Sequence, residues 1–128
     1  MRYVFPAVFE PAEEGGFIVS VPDVEGCFTE GETMADAMFM AQDALAMMLV
    51  YCEDHDRPIP VATPIEKVKA PKNSFVSLVL ADTDQWRRTF DNKAVKKTLS
   101  IPSWLNAKAT KAGVNFSQVL QEALISRL

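Results

Sequence analysis

Residues 33–52 constrain the fold of this chain more than any other stretch. They are apolar everywhere except at Thr33, Asp36, Gln42 and Asp43. Thr33-Met34-Ala35-Asp36 has the form of a helix capping box, with Asp where Glu or Gln is usual. The expectation is a helix running to about Glu53 that is too apolar for one buried stripe. One face, from Met34 and Ala37 through Leu45 to Leu49 and Cys52, can cover a sheet. A second, made by Phe39, Met40, Met47, Val50 and Tyr51, is left over. Either later segments of the same chain cover it, or another subunit does. Five of the six methionines lie here, and flexible thioethers suit either contact. A membrane span is not expected. Asp36 and Asp43 would each cost about 2.5–3.5 kcal/mol near a bilayer centre.

The residues before the helix read as a meander of short strands. Tyr3 to Phe9 alternates with both faces partly apolar, and Pro6 points to an edge or bulged position. A turn at Glu13-Glu14-Gly15-Gly16 leads into a second strand at Phe17 to Val21. Pro22-Asp23-Val24-Glu25-Gly26 turns again into a third at Cys27 to Thr29. After the helix, Glu53 to Asn73 holds four of the eight prolines and no periodicity, as expected of a long connection. Ser74 to Leu80 is apolar enough on both faces for an internal strand. The expected order is βββαβ, an α+β domain over residues 1–82. Residues 83–93 are expected mainly as linker, with at most a helical turn at Gln85 to Arg88.

The last part, residues 94–128, reads as strand, helix, helix (βαα). In Val95 to Ile101, Leu99 and Ile101 point one way with Val95, while Lys96, Thr98 and Ser100 point the other. Pro102 suits the start of a helix, Gly113 its end, and Asn115 the cap of a second helix from Phe116 to about Arg127. A unit of this size cannot bury enough surface alone, and a lone strand leaves its edge open. Antiparallel pairing of two copies solves both problems. It also presents a two-stranded ribbon of the size that enters the DNA major groove. Lys96 can address a guanine edge or a phosphate, Thr98 and Ser100 can donate or accept, and the first amides of the second helix, at Phe116 and Ser117, can receive a phosphate. The plainer reading is a surface strand and helical hairpin belonging to one α+β domain.

Charge divides the chain along similar lines. Residues 1–66 carry 2 basic and 13 acidic side chains, a net −11, and residues 67–128 carry 11 and 4, a net +7. The total of −4 conceals this. A basic half suggests a polyanion, and an acidic half suggests a basic partner. Residues 93–128 alone carry +5. Lys67, Lys69 and Lys72 belong to the long connection. With Cys27 and Cys52 far apart and a single His55, neither a disulfide framework nor a structural zinc is expected. Residues 1–14 lack a basic segment followed by an apolar one, so a reducing cytoplasm is the expected location. No catalytic residues and no cofactor are expected either. A metal nuclease needs carboxylates converging on its ions, and Val4 to Val8 offers none. Asp23, Glu25, Glu30 and Glu32 sit on turns and strand ends.

Two resemblances agree with these readings. Lys96-x-Thr98-x-Ser100-Ile101-Pro102, the helix ending at Ala112-Gly113, and Asn115-Phe116-Ser117 resemble the ribbon-helix-helix family of DNA-binding proteins. The likeness implies a homodimer that reads operator DNA through Lys96, Thr98 and Ser100, with Asn115, Phe116 and Ser117 at the backbone. Lys97 departs from that pattern, standing where the family places an apolar, core-facing residue. It either reaches the phosphates by its long stem or marks a register one residue off. In the first half, Pro22-Asp23-x-x-Gly26-Cys27, then Gly31-Glu32-Thr33-x-x-Asp36-Ala37 and the later Pro58-Ile59-Pro60, resemble the HicB antitoxin family over residues 1–80. That likeness implies a degraded ribonuclease-H-like domain without enzymatic activity. Its partner would be a HicA-type toxin, a small basic mRNA-cleaving ribonuclease, with the tail repressing the operon. It names no toxin-contacting residue. Pairing of dimers into a tetramer through the methionine-rich helix remains open. The rival reading keeps the DNA-binding tail and makes the first domain a small-molecule sensor.

Overall fold

The computed structural model describes residues 1–128, which form two compact units, Met1–Lys93 and Ala94–Leu128. The first holds strands β1 (Arg2–Pro11), β2 (Phe17–Ser20) and β3 (Phe28–Gly31), helix α1 (Met34–Asp54), strand β4 (Phe75–Asp82) and helix α2 (Thr83–Phe90). The second holds helices α3 (Ser103–Lys111) and α4 (Phe116–Arg127). The four strands make one antiparallel sheet in the order β3-β2-β1-β4.

Helix α1 starts as its sequence requires, with the Thr33 hydroxyl accepting from the Asp36 amide at 3.1 Å. Its stripe of Ala37, Ala41, Leu45 and Leu49 is buried against Phe5, Ala7 and Phe9 of β1, Val19 of β2, and Val79 and Ala81 of β4. These strand residues occupy alternate positions, so one face of the sheet is dry. Small residues set the spacing. A Cβ placed on Gly31 would lie 2.5 Å from the Ala37 Cα, inside contact distance of rigid backbone. The Gly31-Glu32-Thr33 segment therefore joins β3 to α1 at a point where only hydrogen fits. The Pro22–Cys27 segment has its own role. Asp23 accepts from the Thr63 amide at 2.9 Å and the Thr63 hydroxyl at 2.6 Å, pinning the long connection. Cys27 lies in the core, and burial pushes its thiol pKa up.

The strand order differs from the sequence expectation in two places. β1 is central despite Pro6, and β4 is an edge strand despite its apolar faces. The β1–β2 ladder spans only Val8–Pro11, so Pro6 lies beyond it and its missing N–H costs no bond to β2. β4 pairs with β1 along its whole length, Phe75↔Phe9 through Asp82↔Arg2. Phe9 and Phe75 stack with centroids 5.2 Å apart.

Residues 83–90, expected mainly as linker, form helix α2 within the first unit. The Asp82 carboxylate caps it by accepting from the Gln85 amide at 3.1 Å. This bond holds the Asp82 carboxyl below its ordinary range. α2 docks on α1 through polar bonds as well as rings. Trp86 Nε1 donates to Asp43 at 3.2 Å, and Arg87 bridges Asp54 at 2.8 Å and Glu53 at 3.2 Å. Glu53 also accepts from the Tyr3 hydroxyl at 2.7 Å and the Thr83 hydroxyl at 3.1 Å. One carboxylate thus ties β1, α1 and the start of α2 together. Of the surplus face of α1, Val50 is buried, whereas Phe39, Met40, Met47 and Tyr51 stay exposed.

The segment expected as a strand at Val95 to Ile101 makes no ladder in the single chain, and all of its residues are exposed. A strand exists through its partner's backbone, and nothing in one copy supplies one. α3 and α4 form where expected. Gly113 takes φ 71° after α3, a left-handed conformation that favours glycine, and Asn115 caps α4 by accepting from the Gln118 amide at 3.1 Å.

This packing sets the expected cost of two substitutions. Gly31→Ala should cost at least about 1–3 kcal/mol, because the added methyl meets backbone rather than a side chain that can move; chemical denaturation measures the loss. Glu53→Gln should cost about 1–3 kcal/mol at neutral pH, as expected for bonds to a charged group. Burial alone would raise the Glu53 pKa, but donors from Tyr3, Arg87 and Thr83 outweigh it and lower it from 4.5. Its contribution is therefore complete above that pH and lost as the pH falls through the lower folded value. The Tyr3 pKa is pushed up to about 12, first by its bond to Glu53. Stability from that bond persists below the ordinary value of 10.0 and disappears as the pH rises towards 12. The unchanged chain and the E53Q variant should converge in stability at low pH, and at high pH the gap should narrow without closing, because Arg87 and Thr83 still hold Glu53.

Candidate nucleic-acid interface and partner surfaces

The nucleic-acid residues expected from sequence all lie in the second unit. Lys96, Lys97, Thr98 and Ser100 are exposed on the extended segment before α3, and Asn115, Phe116 and Ser117 open α4. The alternation has a physical counterpart. Lys97, Leu99 and Ile101 line one groove with Phe116, Val119, Leu120 and Ala123 of α4, whereas Lys96, Thr98 and Ser100 do not line it. Lys97 thus shares a side with the apolar residues. Its long stem lies along this groove. The first-turn amides of α4 stand at the positive end of that helix, with no acidic side chain in the turn to occupy them.

Neither helix of this unit has a single buried residue. Leu99, Ile101, Leu105, Val119 and Leu124 are all exposed in the isolated chain. An apolar groove thus lies beside a segment that makes no ladder.

The first unit offers different chemistry. No three His, Cys, Asp or Glu side chains come together in a geometry that would hold a metal ion. His55 ends α1, its Nδ1 2.9 Å from the Tyr51 carbonyl, and its ring stacks on Tyr51 at 4.0 Å. Two open grooves lie in this unit: one between α1, α2 and the end of β4, lined by Phe39, Asp43, Leu80, Asp82, Trp86 and Phe90, holds about 210 Å³, and one lined by Met47, Tyr51, Asp54, His55, Arg87 and Asp91 holds about 360 Å³. Ligand pockets usually hold about 300–1,000 Å³. Asp23, Glu53 and Asp82 are engaged with the chain's own donors.

Sequence reasoning missed α2 and the Trp86–Arg87 clasp. The signal was present in Asp82-Thr83-Asp84-Gln85, an N-cap residue followed three positions later by Gln. The Asp23–Thr63 tie carried no local signal, because its partners are forty residues apart.

The chain is similar to known proteins over nearly its whole length. The model of the HicB-like antitoxin of bacterial toxin–antitoxin systems matches residues 5–123. An uncharacterised 14.9 kDa protein from the rep–hol intergenic region of Haemophilus phage HP1 (strain HP1c1) is 30% identical over 103 residues, covering 80% of this chain and 75% of its own. Antitoxin HicB of Escherichia coli K12 is 40% identical over 65 residues, covering 51% of this chain. The match spans 46% of that antitoxin's length, and the chain spans less than two thirds of each curated HicB antitoxin it resembles. In fold, the chain is similar to a chain of a toxin–antitoxin complex from Streptococcus pneumoniae, with a TM-score of 0.64 at 24% identity over 100% of both chains. These likenesses and the α+β sheet-and-helix architecture agree: the chain belongs to the HicB-like antitoxin family of bacterial toxin–antitoxin systems.

Proposed function

We propose that this chain neutralises a HicA-type mRNA-cleaving ribonuclease through residues 1–82 and represses its own operon through residues 94–128. It acts as a homodimer and has no enzymatic activity of its own. The observation that carries the DNA-binding half is the incompleteness of the second unit. Its extended segment has no ladder and its helices bury nothing, yet Leu99, Ile101 and Val119 converge on one groove. A second copy supplies both the missing strand and the missing apolar layer. The ribbon so formed carries Lys96, Thr98 and Ser100 from each chain on the side away from the groove, towards the DNA major groove. Asn115 orders the first turn of α4, whose amides at Phe116 and Ser117 take a phosphate, and Lys97 reaches the backbone from the groove's rim. The net +5 of residues 93–128 supplies the sequence-independent attraction.

The toxin-binding half rests on family membership and on charge. An acidic domain competes with RNA for a basic ribonuclease and speeds its capture. The sensor reading would place its ligand in one of the two open grooves of the first unit, of about 210 and 360 Å³.

Lys96→Ala should weaken binding to operator DNA and lower the slope of log affinity against log salt by about 1 for each phosphate it no longer neutralises. A titration at several salt concentrations measures both, and unchanged binding would overturn the assignment of Lys96. Light scattering at micromolar concentration should give at least a dimer. Leu99→Asp, placing a charge in the groove, should shift the protein towards monomer and abolish operator binding while leaving toxin capture intact. A variant that stays dimeric and bound to DNA would sink the ribbon.

A further inference from the structure

The sheet has a second face, and on its β1–β2–β3 half Glu10, Ile18, Phe28 and Glu30 are exposed, whereas Val8 beside them is buried. Register puts Glu10, Ile18 and Glu30 side by side in one row, and Val8, Ser20 and Phe28 in the next. Their neighbours along the strands, Phe9 and Val19, are buried in the core on the α1 side. The two rows therefore stand on the opposite face. Phe28 is 70% exposed and Ile18 45%. Ile18 lies between two carboxylates, with the Phe28 ring on the diagonal, within reach of a large side chain.

These carboxylates have no cation of their own. Residues 3–56 contain 12 Asp and Glu and no Lys or Arg. The chain's ion pairs are Met1–Asp84, Arg2–Asp82, Arg87–Glu53 and Arg87–Asp54. None uses Glu10 or Glu30, nor the exposed Glu13, Glu14 and Glu32 near the ends of the same strands. An exposed aromatic framed by unpaired carboxylates is complementary to a guanidinium-rich surface. Arginine pairs with carboxylates through its planar fork and stacks on an aromatic ring with the same group.

We propose that the face of β1, β2 and β3 opposite α1, centred on Phe28 and Ile18 between Glu10 and Glu30, is the docking surface for a basic protein partner. Resting on the function proposed above, that partner is the ribonuclease toxin. Phe28 fills the apolar centre of the contact. Glu10 and Glu30 take the toxin's cationic side chains, so the surface that holds RNA phosphates is occupied by carboxylates instead. The Glu13-Glu14 turn and Glu32 extend the acidic rim and act on the rate of encounter.

The test uses the full chain and the purified small basic toxin encoded beside it. Two variants are compared with the unchanged chain: the double charge reversal Glu10→Lys with Glu30→Lys, and Phe28→Thr. All three positions are exposed, and circular dichroism with light scattering reports whether fold and oligomer are kept. The expected result is a loss of toxin affinity of about 100-fold for each variant, with operator binding retained. The charge reversal should also flatten the salt dependence of the association rate. Variants that bind the toxin within twofold of the unchanged chain overturn the docking surface and leave the antitoxin reading standing. An unchanged chain that does not bind the toxin overturns the antitoxin reading itself. A charge reversal that loses oligomer mass instead shows the face to be a contact between copies, and overturns its assignment to the toxin.

Discussion

The close packing of α1 across the sheet is the contact on which the rest of the first unit depends. Ala37 and Ala41 let the helix approach, Gly31 admits it where β3 ends, and Leu45 and Leu49 fill the space above β1 and β4. This arrangement spends one face of the sheet and one stripe of the helix. It also brings the C-terminal end of α1 over the start of β1, where Glu53 gathers Tyr3, Thr83 and Arg87. Because β4 runs directly into α2, that carboxylate anchors the element leading towards the second unit. Burial opposes its charge, and the converging donors more than compensate.

The second unit obeys the opposite logic. The first is closed around its own core. Residues 94–128 have well-capped helices and an apolar groove, but neither helix has a buried residue. Local signals such as Pro102, Gly113 and Asn115 suffice to start and stop helices, because they act on neighbouring backbone groups. They cannot supply apolar area. Functional chemistry thereby separates along the chain. Acidic residues surround a domain with its own core, and basic ones decorate a unit whose helices have no buried residue.

Much of the first unit was legible from periodicity. The three-strand meander, the capped helix and the last strand all lie where alternation and turn residues place them. Two readings from composition failed for related reasons. Pro6 suggested an edge strand, yet β1 is central, because the β2 ladder ends before reaching it. The apolar faces of β4 suggested an internal strand, yet it lies at the edge. In both cases side-chain chemistry reports on the faces of a sheet, while lateral neighbours depend on backbone pairing. The helix at Thr83–Phe90 was masked by its polarity. Its stability comes from Trp86 and Arg87 reaching α1, and these contacts span more than thirty residues.

By itself, the sequence determined most of the helices and strands apart from α2, which residues share a side, and how charge divides between the halves. Those properties arise from neighbours within a few residues or from simple counts. Only the tertiary structure decided the order of the strands, the docking of α2, and the convergence on Glu53. It also decided that Glu10, Ile18, Glu30 and Phe28 share one open face. These depend on contacts between distant segments, and such contacts are selected by the packing of α1 rather than by any local preference.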